Sequence, residues 1–316
     1  MTNKTCWVIT EGMAGTENQC IGVAEALGIT PVIKRIKLNS PWKELSPWLL
    51  FGKRFSISKQ GDSLTPPYPD IIISSGRKAI IASLYVKEAS KGKSFLVQVQ
   101  DPRTNPSKFD LVCVPQHDPT RGENVIVTTG ALHKVTHEKL EFEKVKFAKQ
   151  LEHLKTPRVA VLIGGSSKHH QMTKEITDVL ANQLLSLKDV SLMITASRRT
   201  GEENTKLLQD KLKGENIYFW DGKNDNPYFA FLAWADYIIV TEDSVSMASE
   251  ALYTGKPVYT VKLEGGAKRI NNFHKLLQEQ GYTKPFTGQL EHWSYKIPDD
   301  RKKLADEIIK RMSQKG

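Results

Sequence analysis

Short apolar runs alternate with amphipathic stretches along most of the chain. Residues 6–10 form a β-rich run that ends in a Gly-containing loop, and Ile21, Ala24 and Leu27 follow at the spacing of one helix face. The run 32–38 interleaves with Lys and Arg like a half-exposed strand, whereas Ile71, Ile72 and Ile73 are apolar in succession, as a central parallel strand requires. Further strands are predicted at 95–99, 111–114 and 125–127, with a helix around Ile80, Ile81 and Leu84. From Leu140 to Lys155 the chain is charged and helical without a clear apolar stripe, and Thr156-Pro157 ends it. A second series then begins, with strands at 159–163, 191–195, 217–220, 237–240 and 257–261 and helices between them. Strands alternating with helices predict an α/β fold of two doubly wound parallel sheets. The expected domains are 1–153 and 154–316. A final helix over 299–312 carries Leu304, Ile308 and Ile309 on one face and is expected to cross back to the first domain.

Length and composition narrow the class. The 316 residues exceed what one core usually serves, which agrees with two domains. With 39% hydrophobic and 25% charged residues, disordered and low-complexity classes are excluded. No apolar run approaches the roughly 18–20 residues that span a bilayer, and the N-terminus moves straight into a strand, so a cytoplasmic protein is expected. Cys6, Cys20 and Cys113 lack metal-ligand spacing and read as buried thiols in a reducing compartment. Lys and Arg exceed Asp and Glu by 10, which favours an anionic partner without naming it.

Ligands of parallel sheets bind beyond the carboxyl ends of the strands, where Gly lets the backbone approach and helix N-termini offer N–H groups to anions. Four loops fit that description. The first holds Glu11, Gly12, Gly15 and Glu17; the second opens with Gly164, Gly165 and Ser166; the third is Ser197, Arg198 and Arg199; the fourth runs Asp243, Ser244, Val245, Ser246 and Met247. Gly76 and Arg77 stand at the equivalent end of the 71–75 run. None matches GxGxxG with a following acidic residue or a Walker loop, so hydride transfer and P-loop hydrolysis lose ground. A Gly/Ser loop taken singly is a tight turn with a helix cap, and Arg198 and Arg199 taken singly are solvated charges. Their recurrence at strand ends favours phosphate contact.

The stretch 235–252 followed by Thr254-Gly255-Lys256-Pro257-Val258 resembles the donor-binding half of GT-B glycosyltransferases. That resemblance implies a helix starting under a nucleoside diphosphate and a Glu in its second turn, here Glu250, on the ribose hydroxyls. Ser246 and Glu250, four apart, share a helix face, which suits that geometry. With Asn226-Pro227-Tyr228, the 243–247 run, Gln100-Asp101-Pro102-Arg103, and Glu11-Gly12 with Gly15 and Gln19, the chain resembles the ELM-type (elongated mitochondria) fission protein family, in its bacterial branch. The resemblance runs over nearly the whole chain. It implies a GT-B-like fold of two facing Rossmann-like domains, the first on the acceptor side and the second on the nucleotide-sugar side.

Such an enzyme needs no cofactor beyond its nucleoside-diphosphate sugar co-substrate, and no DxD stands at a strand end of the second half, so metal independence is expected. The assignment gives Gly12, Gly15, Gly76, Arg77, Gly164, Gly165, Ser166, Ser197, Arg198, Arg199, Asp243, Ser244, Ser246, Met247 and Glu250 to the nucleotide sugar. Glu11, Glu17 and Asp101 are the candidate catalytic carboxylates, although Glu17 equally suits a helix N-terminus and Asp101-Pro102 a turn. Arg103 and His117 line other strand-end loops of the first half, and the adjacent His169 and His170 point apart and make no metal pair. Residues 40–55 mix Trp, Leu and Phe with Lys and Arg, which suits either contact with an anionic membrane or a helix capping the first sheet. The expected function is glycosyl transfer to a lipid-linked or envelope glycan. The alternative is a non-catalytic GT-B-fold scaffold that binds a membrane or protein partner. Nucleic-acid binding lacks any recognisable module, and an epimerase lacks Tyr-xxx-Lys and GxGxxG.

Overall fold

The computed structural model describes residues 3–315. The chain divides into two compact units: residues 1–134 with 299–316, and residues 135–298. The first contains β1 (Cys6–Thr10), α1 (Ala14–Ala26), β2 (Val32–Arg35), α2 (Trp42–Leu45), α3 (Lys53–Ser56), β3 (Ile71–Ser75), α4 (Ala79–Ala89), β4 (Phe95–Val99), β5 (Leu111–Pro115) and β6 (Val125–Thr128). The second contains α5 (His137–Lys146), α6 (Ala148–Leu151), β7 (Arg158–Ile163), β8 (His170–Gln171), α7 (Lys174–Ser186), β9 (Ser191–Ala196), α8 (Glu202–Lys211), β10 (Ile217–Phe219), α9 (Tyr228–Trp234), β11 (Tyr237–Thr241), α10 (Val245–Leu252), β12 (Val258–Val261), β13 (Glu264–Gly265), α11 (Lys268–Glu279) and β14 (Thr283–Pro285). The last helix, α12 (Asp300–Lys315), belongs to the first unit.

Each unit is built on one six-stranded sheet with every pairing parallel. The orders are β2-β1-β3-β4-β5-β6 and β10-β9-β7-β11-β12-β14. The central strands are buried on both sides, which explains their unbroken Val and Ile content: alternate residues serve opposite faces. Cys6, Val8, Ile71, Ile73 and Val97 pack with Cys20 and Val23 of α1 and Leu304 and Ile308 of α12. Trp7, Ile9, Ile72 and Leu96 pack with Ile80, Ile81 and Leu84 of α4. In the second sheet Ala160, Leu162, Ile238 and Val240 meet α9, α10 and α11, while Val159, Val161, Ile194 and Ile239 meet α7 and α8. Each such fully buried Val, Leu or Ile contributes about 1.5–3 kcal/mol of transfer free energy. All three cysteines are buried, and burial pushes the Cys6 thiol up to about 12.

The break between units falls at 134/135 rather than at 153/154. Leu140, Phe147, Leu151 and Leu154 join Phe231 and Leu232 in one core, Trp234 Nε1 donates to the Lys144 carbonyl at 3.0 Å, and the Lys139 ammonium lies over the Phe229 ring. The charges on α5 obscure this sparse stripe in the sequence. The edge strand β2 is partly exposed, and Ile36 and Leu38 turn back into the core after it ends. Helix α11, strand β14 and the two-stranded pairing of β8 with β13 had no counterpart in the sequence reading. Among the described residues no helix is long and apolar enough to cross a membrane.

Candidate functional site

In the second sheet the chain leaves β7 toward β9 and β10 on one side and later returns to β11 on the other. The carboxyl ends of β7 and β11 therefore flank a topological switch point, where open α/β sheets bind ligands. The Gly164 amide donates to Thr241 Oγ1 at 2.8 Å, and that hydroxyl donates to Asp243 Oδ1 at 2.6 Å. Arg199 Nη2 lies 2.8 Å from Asp243 Oδ2, pairing its charge with a fully buried carboxylate without the alignment of a hydrogen bond. Ser197 and Thr200 both donate their hydroxyls to the Gly164 carbonyl. The Ser166 amide bonds the Arg199 carbonyl at 2.8 Å, and Ser166 Oγ accepts from the Met172 amide at 3.1 Å. Glycine is required in the middle. A Cβ on Gly164 would stand 2.3 Å from an Asp243 carboxylate oxygen, and one on Gly165, whose φ is +128°, would stand 2.3 Å from the Arg199 carbonyl oxygen.

Ser244 caps α10, its Oγ accepting from the Met247 amide at 3.3 Å. Glu250 lies one turn beyond Ser246, and the Tyr228 phenol donates to Glu250 Oε2 at 2.5 Å. Burial first, and then the Glu250 charge and this hydrogen bond, push the Tyr228 phenol well above its ordinary range, so it remains a donor. Asn226 Oδ1 in turn accepts from the Tyr228 amide. Asn226 also lines an open hollow of about 1020 Å³ with Ser197, Arg198, Glu202, Lys206 and Trp220. Arg198 thus faces open space while its neighbour Arg199 is committed to Asp243. Behind the same loop, His274 Nε2 bonds the Glu242 carbonyl at 2.9 Å, and burial pulls the imidazole below its usual value against the opposing pull of Glu242.

The first unit has its own switch point, between β1 and β3. Glu11 pairs there with Lys78 at 2.6 Å. Gly12 takes a φ of +84°, Gly76 one of +94°, and Gly15 has no atom within 4 Å of where its Cβ would be. Arg77 is exposed, and its carbonyl accepts from Ser46 Oγ. Glu17 is held by both guanidinium arms of Arg35, at 2.8 and 2.9 Å, which lowers its pKa and makes it a poor proton acceptor. Asp101 Oδ1 accepts from the Arg103 amide and the Thr120 hydroxyl, each at 2.8 Å, in the turn its Asp-Pro sequence suggested. Of the predicted residues, Gly164, Gly165, Ser166, Ser197, Arg199 and Asp243 are brought into one network, with Ser244, Ser246, Met247 and Glu250 on the adjoining helix. The three candidate carboxylates of the first unit have separate partners. Sequence reasoning missed Tyr228, Thr241, Thr200 and Lys78 as site residues. The Asn226-Pro227-Tyr228 motif was the one available signal for the first of these.

The family model for mitochondrial fission ELM1 matches residues 14–312. The chain belongs to that family. Among curated ELM1 relatives, the mitochondrial fission protein of Arabidopsis thaliana is 28% identical over 98% of this chain and 91% of its own length. An uncharacterized protein of Rickettsia prowazekii is 28% identical over 96% of this chain and 97% of its own. Solved structures with the same fold include MurG from Acinetobacter baumannii, at 15% identity and TM-score 0.51, covering 98% of this chain and 91% of that one. The UDP-GlcNAc 2-epimerase of Methanocaldococcus jannaschii has 12% identity and TM-score 0.56, covering 98% and 99%. At these identities the likeness concerns the fold alone: this ELM1-family chain is GT-B-like, a fold it shares with glycosyltransferases and 2-epimerases.

Proposed function

We propose that the chain is a GT-B-type glycosyltransferase, moving a sugar from a nucleoside-diphosphate sugar to a lipid-linked or envelope glycan at the cytoplasmic face of a membrane. The observation that carries the reading is Glu250, held by Tyr228 one turn behind Ser246 on a capped helix at the switch point. A carboxylate fixed there can accept two ribose hydroxyls, while the N-terminus of α10, braced by the buried Gly164-Gly165 loop, receives the diphosphate. Arg198, lining the neighbouring hollow, supplies positive charge to the negative charge that builds on the departing diphosphate as it takes the C1–O bonding electrons, so donor activation needs no metal. On the acceptor side we assign proton removal to Glu11, whose Oε1 alone meets Lys78, whereas Arg35 occupies both carboxylate oxygens of Glu17.

Thermal unfolding with a panel of nucleoside diphosphates tests this. At least one should stabilise the protein, by about 2.7 kcal/mol at a hundred times its Kd, and Glu250→Gln, which keeps an acceptor for the Tyr228 hydroxyl, should weaken its affinity about tenfold or more with little change in the unliganded melting temperature. Activity should persist in EDTA. Absence of stabilisation by every nucleotide would sink the transferase reading and leave the non-catalytic scaffold that the family's fission name suggests. Epimerisation of a nucleotide sugar with no acceptor present would instead assign the site to the chemistry named for the Methanocaldococcus jannaschii neighbour.

A further inference from the structure

We infer that the first unit docks on an anionic phospholipid bilayer through residues 42–55. Three rings of this segment stand out into solvent: Trp48 is 67% exposed, and Phe51 and Phe55 are each 72% exposed. The backbone beneath them is well anchored. Trp42 and Leu50 pack against the first unit's core, and Trp42 Nε1 donates to the Phe51 carbonyl at 2.8 Å. Asn39 holds the Phe55 carbonyl, Ser46 holds that of Arg77, and Gly52 makes a left-handed turn where a Cβ would press on the Trp42 ring. The rings are thus presented by a fixed scaffold rather than left over from incomplete packing. Of the two expectations for the segment, capping of the core is met by Trp42 and Leu50, while Trp48, Phe51 and Phe55 stay outside it.

The charge beside the rings selects the occupant. Two hollows of about 400 and 310 Å³ share Lys53 and Glu88; Lys87 and Lys108 complete the first, Arg54 and Phe55 the second. Four cations therefore stand with two carboxylates, Glu88 and Asp110. Lys53 pairs with Glu88 and Lys87 with Asp110, both at 2.9 Å, while Arg54 and Lys108 are exposed. Protein interfaces favour aromatics but are depleted in Lys, whereas the bilayer surface accepts aromatic rings at headgroup level and draws Lys and Arg toward its phosphates. An excess of two cations, with Arg54 and Lys108 exposed beside the protruding rings, fits the bilayer. The inference is independent of sugar transfer, because docking is read without nucleotide.

The test is flotation of the full chain with vesicles of phosphatidylcholine alone or with about 30 mol% phosphatidylglycerol. The wild type should float with the anionic vesicles, with pure phosphatidylcholine about tenfold less, and should detach at about 0.5 M salt. Replacing Trp48, Phe51 and Phe55 together with Ala should weaken binding about tenfold or more at an unchanged melting temperature. Should that variant misfold, Arg54→Glu with Lys108→Glu carries the same expectation. Brominated acyl chains should quench wild-type tryptophan emission, and Trp48→Phe, which keeps a ring, should remove most of that quenching. Failure of the wild type to float, or undiminished flotation of the folded variants, overturns the inference. So does capture of a protein partner through these rings while anionic vesicles are ignored.

Discussion

At the switch point of the second sheet, Gly164 and Gly165 are walled in by Asp243, Arg199 and Thr200; at that of the first, a Cβ on Gly15 would meet open space and one on Gly12 would first meet the flexible Arg35 side chain. The two sheets share parallel pairing and a central reversal of strand order. One fixes its loop through a chain of buried hydrogen bonds from Gly164 through Thr241 to Asp243, while the other has a longer, part-buried relay from the Gly12 amide through the Thr10 hydroxyl to Glu17, at 3.1 and 3.4 Å, beside the ion pairs Glu11–Lys78 and Glu17–Arg35. A site that receives the same diphosphate in every turnover gains from being built before the ligand arrives. An open glycine loop costs less to rearrange around acceptors of varied shape. Preorganisation on one side and latitude on the other is what the proposed transfer asks of the two units.

The contrast can be broken most directly at Gly164. Gly164→Ala forces a methyl against a buried carboxylate and should destabilise the protein by about 2–4 kcal/mol in urea unfolding; a loss below about 0.5 kcal/mol would show that the network yields easily. Arg199→Ala comes next. It leaves Asp243 buried with its charge uncompensated on one side, and because the arginine is itself 45% exposed the expected loss is about 1–2 kcal/mol rather than the full cost of a buried pair. Equal stability of the two proteins would reduce Arg199 to a surface charge.

His274 gives the comparison a pH dependence. Its folded-state pKa is lowered by burial, so as pH falls through the ordinary imidazole range the unfolded chain takes up a proton that the folded one refuses. Stability should decline on acidification, by at most about 1.4 kcal/mol per pH unit from this group, and His274→Gln should flatten the slope between pH 7 and about 5. A slope identical to the wild type's would remove His274 from the account. The smallest effect is expected on the open side: Gly15→Ala, near the start of α1 with nothing to strike, should stabilise by about 0.5 kcal/mol. Destabilisation there would mean that the first loop is less open than it looks.

Legibility in the sequence followed the range of the interaction. Strands such as β3 and β11 announce themselves because burial on both faces demands consecutive Ile and Val. The turn at Asp101-Pro102 and the cap at Ser244 are local and were equally visible. Helix α11 carries Ile270, Phe273 and Leu277 on one side, yet its polar bulk of Lys, Asn and Gln hid that stripe. The same masking displaced the break between units, since Leu140 and Phe147 are sparse among lysines and glutamates. The pairing of Asp243 with Arg199, and of Glu250 with Tyr228, depends on which strands become neighbours, and no spacing within either loop encodes it. The loops could thus be named from sequence, but Asp243 and Arg199 could not be seen to complete one another.

The placement of α12 in the first unit has a consequence for how the molecule is made. Leu304, Ala305 and Ile308 complete a core whose other walls are Val23, Ala24 and Leu27, and Asp300 accepts from the Thr129 and Gly130 amides at the end of β6. Residues 135–298 are contiguous and can close as soon as they leave the ribosome. The first unit, although it starts earlier in the sequence, must wait for α12, so the order of synthesis and the order of completion are reversed, and a nascent chain halted after Pro298 holds a finished second unit and an unsealed first.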